Sequence, residues 1–178
     1  MNLVFRQIRA EGGCNSFILG DRASGTACLI DPRADHQETY EAYLAEQKLK
    51  ATLVIDTHTH ADHYSGSHLV AENFGARIAM GSSTQSARAD IRLVDGQELE
   101  IGGELALRAL ATPGHTPDSV SLVLEGAWGR AAFTGDTLFI GGSGRTDFPG
   151  ADASAQYDSI HSRLGALGDA TWVLPAHD

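Results

Sequence analysis

The 178-residue sequence predicts a single α/β domain in which two mixed β-sheets pack face to face with helices on their outer faces. Three observations carry that reading. Short apolar runs rich in β-branched and aromatic residues alternate with turn residues; they fall into two series, each strands first and helix later; and histidines collect directly after predicted strands.

Residues 3–8, 16–19 and 27–30 read as a strand meander ending at Asp31-Pro32. Within 36–47, Tyr40, Tyr43 and Leu44 recur at spacings of three and four, the period of an amphipathic helix, and 51–55 returns as a continuous apolar run suited to a buried strand. Residues 67–74 fit a helix, and 77–80 a short strand closing a strand–helix–strand unit. Asp95-Gly96 and Gly102-Gly103 are turn signals that bracket strands at 97–101 and 104–111. The second series continues with strands at 120–124 and 131–134, a helix at 153–164 and a strand at 172–174. No linker, repeat or low-complexity stretch divides the chain, so residues 1–178 are read as one domain.

Thirteen basic against 23 acidic residues give a net charge of −10, which argues against a nucleic-acid groove or an anionic membrane surface as partner. Cys14 and Cys28 form no C-x-x-C pair, so neither a disulfide framework nor a thiolate zinc site is expected. The N-terminal residues lack the basic-then-apolar order of a secretory signal, and no apolar run approaches the roughly 18 residues of a membrane span. The expectation is a soluble cytoplasmic protein without membrane contact; a homodimer stays open.

Four of the eight histidines lie between His58 and His68, after the strand that ends at Ile55-Asp56. Loops at the carboxyl ends of strands are the usual seat of a site on an α/β scaffold. In an extended loop, residues two apart point the same way. His58 and His60 can therefore converge on one point, while Asp62 and His63 turn toward a neighbouring one. Three imidazoles and a carboxylate within six residues have no packing rationale, and they match the ligands of zinc, iron or manganese enzymes. His36, His68 and His161 lie on helical or exposed faces and are read as ordinary polar residues. Further on, Thr112-Pro113-Gly114-His115-Thr116-Pro117 fixes an imidazole on a tight turn, and Thr134-Gly135-Asp136-Thr137 sets a carboxylate at another strand end.

In this order the motifs resemble the metallo-β-lactamase superfamily: His58-x-His60-x-Asp62-His63, Pro113-Gly114-His115-Thr116, Thr134-Gly135-Asp136 and Pro175-Ala176-His177-Asp178. The resemblance implies the four-layered αβ/βα sandwich. Within the superfamily the chain is most similar to persulfide dioxygenases, through Leu19-Gly20-Asp21-Arg22, Leu29-Ile30-Asp31-Pro32, Thr57 to His63, and Gly144-Arg145-Thr146-Asp147-Phe148. That family oxidises glutathione persulfide with O2 to sulfite and glutathione on one Fe(II) per chain. Its iron ligands fall on His58, His115 and Asp136. His60, Asp62, His63 and His177 then orient ligands or manage protons, and Arg145 either fixes a substrate carboxylate or forms an internal ion pair, for example with Asp147.

Two other readings accompany this one. In a zinc thioesterase resembling glyoxalase II, His58, His60 and His115 hold one zinc, Asp62, His63 and His177 a second, and Asp136 bridges. A non-catalytic metal- or glutathione-binding module is the third. Ser143 stands where persulfide dioxygenases usually carry cysteine, and Pro149 where glutamine is common. The family also continues past the position of Asp178, so a missing C-terminal tail is expected.

Overall fold

Alternation of side chains along the strands decides what meets between the sheets. The computed structural model describes residues 2–61, 63–103, 105–127 and 129–177. One sheet has six strands in chain order: β1 (Leu3–Arg9), β2 (Asn15–Asp21), β3 (Thr26–Ile30), β4 (Lys50–Ile55), β5 (Arg77–Gly81) and β6 (Ile91–Leu93). β1 to β3 form an antiparallel meander, and β3 to β6 run parallel. The parallel steps need crossovers: α1 (Gln37–Gln47), entered through a 3₁₀ turn at Ala34–His36, and α2 (Ser67–Phe74) provide the first two, and residues 82–90 link β5 to β6 without a helix.

The second sheet has the order β11-β10-β9-β8-β7, built from β7 (Glu98–Gly102), β8 (Leu105–Ala111), β9 (Val120–Gly126), β10 (Gly129–Gly135) and β11 (Trp172–Pro175). Only the β10/β11 pair is parallel, its crossover carrying α3 (Ala153–Asp158). Both sheets are thus mixed, and the four-layer α/β sandwich that the sequence predicts is the fold.

Phe17 and Leu19 of β2 and Cys28 and Ile30 of β3 point between the sheets, where they meet Leu107, Leu122 and Phe133. Their neighbours Ile18, Ala27 and Leu29 point outward, under Tyr40 and Leu44 of α1 and Val70 of α2. This is the period-two pattern of strands covered on both faces. Phe17 and Phe133 meet edge to face at 5.0 Å, a favoured aromatic geometry, and lock the sheets together near the site.

The structure departs from the sequence reading in two places. β6 is too short, and interrupted by Arg92, to announce itself. The expected strand start at Glu104 lies outside the described residues. The helix expected over 153–164 is α-helical only to Asp158, widens into a π-helix at Ser159–Leu164 and closes in a 3₁₀ turn at Gly165–Leu167. The widened turn begins where the Ser159 hydroxyl donates to the Pro113 carbonyl at 2.7 Å, tying it to the loop that carries His115.

Candidate metal centre

The loops leaving β4, β8 and β10 meet at one rim of the sandwich and bring together His58, His115 and Asp136. His58 Nε2 is 3.9 Å and His115 Nε2 3.5 Å from Asp136 Oδ2. Donor atoms bonded to a common ion at about 2.0–2.2 Å are separated by such distances.

Protonation can be followed through the hydrogen bonds. Asp31 is a carboxylate, so the Thr57 hydroxyl spends its one proton on Asp31 Oδ2 at 2.8 Å. Thr57 Oγ1 is then an acceptor for His58 Nδ1–H at 3.0 Å, which leaves the lone pair of His58 on Nε2. His115 Nδ1 lies 2.9 Å from the Arg145 carbonyl, which only accepts, so the neutral ring carries its lone pair on Nε2 as well. Both imidazoles therefore aim lone pairs at the space beside Asp136 Oδ2, as metal-ligating histidines do. The other oxygen, Oδ1, accepts from His177 Nδ1 at 2.7 Å. The donor set fits a divalent metal.

Burial, reinforced by the neighbouring His60, pushes His58 down to about 4. A neutral imidazole is what a metal requires. The same shift makes the metal-free protein acid-sensitive, because its folded value lies below the roughly 6.5 of the unfolded chain. As pH falls through about 6.5 the unfolded state takes up the proton first, and stability declines until about pH 4, by on the order of 3 kcal/mol. Urea midpoints of chelator-treated protein between pH 7.5 and 4 should show this decline, with a shallower one in His58→Asn. Equal slopes in both proteins would contradict it.

The His60 ring lies 4.2 Å from that of His58. Its Nε2 lies 3.1 Å from Asp31 Oδ1 and 3.9 Å from Asp56 Oδ1. Two buried carboxylates behind the loop draw the imidazole inward. Burial works against the charge on Asp31, yet the bond from His60, nearby imidazole charge and the Thr57 amide hold its pKa below the usual range. Burial raises that of Asp56, which accepts from Ser65 and Ser67.

His63 stacks on His60 at 4.3 Å, and Asp62 lies outside the described residues. His177 is placed against Asp136, and its Nε2 lies 3.3 Å from the Cys14 thiol. The Arg145 side chain is exposed and forms a two-pronged ion pair with Asp147 at 2.6 and 2.9 Å, the internal pair foreseen as one of its two readings. His161 stacks on Tyr157.

Two organising residues escaped the sequence reading. Asp31-Pro32 reads as a turn, yet Asp31 holds Thr57 and His60. Asp118 follows Pro117 as one more turn residue, yet it accepts from Thr59 Oγ1 at 2.6 Å and Thr116 Oγ1 at 2.7 Å, joining the β4 loop to the β8 loop. Burial opposes its charge, and the bonds from Thr59 and Thr116 overcome it to lower its pKa. Above the centre opens a cavity of about 870 Å³ lined by His115, Asp136 and His177 on its floor and by Ala61, Phe139, Phe148 and Arg145 on its walls.

Residues 9–177 match the Metallo-beta-lactamase superfamily. Human mitochondrial persulfide dioxygenase ETHE1 is 36% identical over 177 residues, covering 99% of this chain and 68% of the relative. The chain belongs to the persulfide dioxygenase family of the metallo-β-lactamase superfamily. The crystal structure of ETHE1 from Myxococcus xanthus is similar at a TM-score of 0.91 and 38% identity, with 98% of this chain and 76% of that one aligned. A more distant superfamily structure, in a di-iron-bound form, aligns at a TM-score of 0.73 and 27% identity over 93% of this chain and 87% of its own. A metal-binding enzyme of the persulfide dioxygenase type is thus the coarse description of the chain. Among the described residues no helix is long and apolar enough to cross a membrane.

Proposed function

We propose that this chain oxidises glutathione persulfide with O2 and water to sulfite and glutathione, using one Fe(II) held by His58, His115 and Asp136. In the balanced reaction, one persulfide, one O2 and one water give one glutathione, one sulfite and two protons; the terminal sulfur is oxidised and O2 reduced. The observation that supports the reading is the set of two imidazoles and one carboxylate itself, His58, His115 and Asp136, with donor atoms within 4.8 Å of one another. Two imidazoles and a carboxylate would hold Fe(II) as the ligand set that Fe(II) oxygenases use, and the iron would supply the chemistry that activates O2 toward a sulfur substrate.

The surrounding residues suit that substrate. Phe139 and Phe148 give the cavity apolar walls that keep bulk water from a reactive sulfur. Arg145 stands at the rim on an exposed ion pair, so its guanidinium can exchange Asp147 for a glutathione carboxylate at little cost. His177, donating to Asp136 Oδ1, keeps the other oxygen facing the imidazoles.

Purified protein should contain about one iron per chain, as the three-ligand set requires, and consume O2 when given glutathione persulfide, with sulfite as product. Two zinc ions per chain, with rapid hydrolysis of S-lactoylglutathione and no O2 uptake, would overturn the reading in favour of a thioesterase. Metal retention with neither activity would favour a binding module.

A further inference from the structure

The three ligands sit on three separate loops, and their relative register needs something to set it. Asp118 joins the β4 loop to the β8 loop. The β8 and β10 loops meet at Gln156, a fully amidic side chain that is 4% exposed and lies in α3. Its Oε1 accepts the backbone N–H of His115 at 2.7 Å. Its Nε2 donates to the carbonyls of Thr137 at 2.8 Å and Asp136 at 3.3 Å. One carboxamide thus holds the main chain of two metal ligands that are 21 residues apart in sequence, using both its acceptor and its donors.

The surroundings are shaped for it. Gly114 adopts φ +144, and a β-carbon there would run into the backbone of Gln156, so this close approach requires glycine. The Gly114 carbonyl accepts from Asp152 N–H at 2.8 Å, and Asp152 caps α3 by accepting from Ser154 and Ala155. Ser159, one turn further on, donates to Pro113. These further ties run from α3 and its continuation to the loop that carries His115, while the Gln156 amide nitrogen reaches the β10 loop.

We propose that Gln156 is a positioning residue of the metal centre, fixing the separation of His115 and Asp136 through their backbones. It touches neither metal nor substrate. The inference rests on His58, His115 and Asp136 being the ligands, but not on what the centre oxidises, so the test reads metal binding.

Co(II) is titrated into chelator-treated wild type, Gln156→Leu and Gln156→Glu, following the visible d–d bands, with circular dichroism and thermal melts as folding controls. Glu keeps the shape and the acceptor for His115 N–H but presents a carboxylate oxygen to two carbonyls. Both variants should bind Co(II) roughly 10- to 100-fold more weakly than wild type, with altered band positions, at temperatures where they remain folded. If Gln156→Leu does not fold, Gln156→Glu decides. A variant with a lowered melting temperature but wild-type Co(II) affinity and bands would show Gln156 to be merely structural and overturn the proposal. Failure of the wild type to bind Co(II) would instead remove the centre on which it rests.

Discussion

His115→Ala should leave a folded protein that retains no metal and has no measurable persulfide-dependent O2 uptake. The side chain is at the cavity floor, so its removal opens no large void in the core between the sheets. What it removes is one of three donors, and the remaining pair, His58 and Asp136, cannot hold a divalent ion against a chelator. The informative contrast is His177→Ala. That imidazole donates to Asp136 Oδ1, so its loss frees the carboxylate to turn and should weaken metal binding by roughly 10- to 100-fold without abolishing it. Metal analysis after gel filtration, with and without chelator, separates the two outcomes. Complete loss in both variants would mean that His177 is itself a ligand, as in the two-zinc arrangement.

The sequence announces the centre because each proposed ligand sits at a strand end marked by turn residues: His58 after Ile55, His115 inside Pro113 to Pro117, Asp136 after Gly135. The apolar runs likewise made the two sheets legible, since Phe17 to Leu19 of β2 and Ala27 to Ile30 of β3 are apolar on both faces. What stayed hidden depends on partners distant in the chain. The partner of His60 Nε2 is Asp31, 29 residues upstream, which loop geometry alone does not reveal. Gln156 reads as one polar residue in a helix, and nothing near it reveals that its amide reaches back 41 residues to His115. β6 was lost for the opposite reason: its three residues are ordered by the neighbouring β5 and carry too little pattern of their own.

Asp31 is where these long-range effects converge, and Asp31→Ala is expected to destabilise the metal-free protein by about 3–5 kcal/mol, because three buried donors lose their acceptor at roughly 1–3 kcal/mol each. The carboxylate is 2% exposed and accepts three donors: the Thr57 amide at 2.7 Å, the Thr57 hydroxyl at 2.8 Å and His60 Nε2 at 3.1 Å. Removing it strands all three in a site with little access to water. Alanine is also disfavoured at φ +49, a left-handed conformation that aspartate and asparagine tolerate better. Asp31→Asn therefore isolates the electrostatic share, because it keeps the backbone conformation and the volume but lacks the charge opposite His60. Urea denaturation should place Asn between wild type and Ala. Metal affinity should fall in both variants, for a chemical reason: once Thr57 no longer spends its proton on Asp31, it can donate to His58 Nδ1. That would move the proton of His58 to Nε2, the atom that must face the metal. A loss below about 1 kcal/mol in Asp31→Ala, the size of one ordinary hydrogen bond, would mean that solvent or a rearranged loop replaces the carboxylate. The β4 loop would then not owe its shape to Asp31.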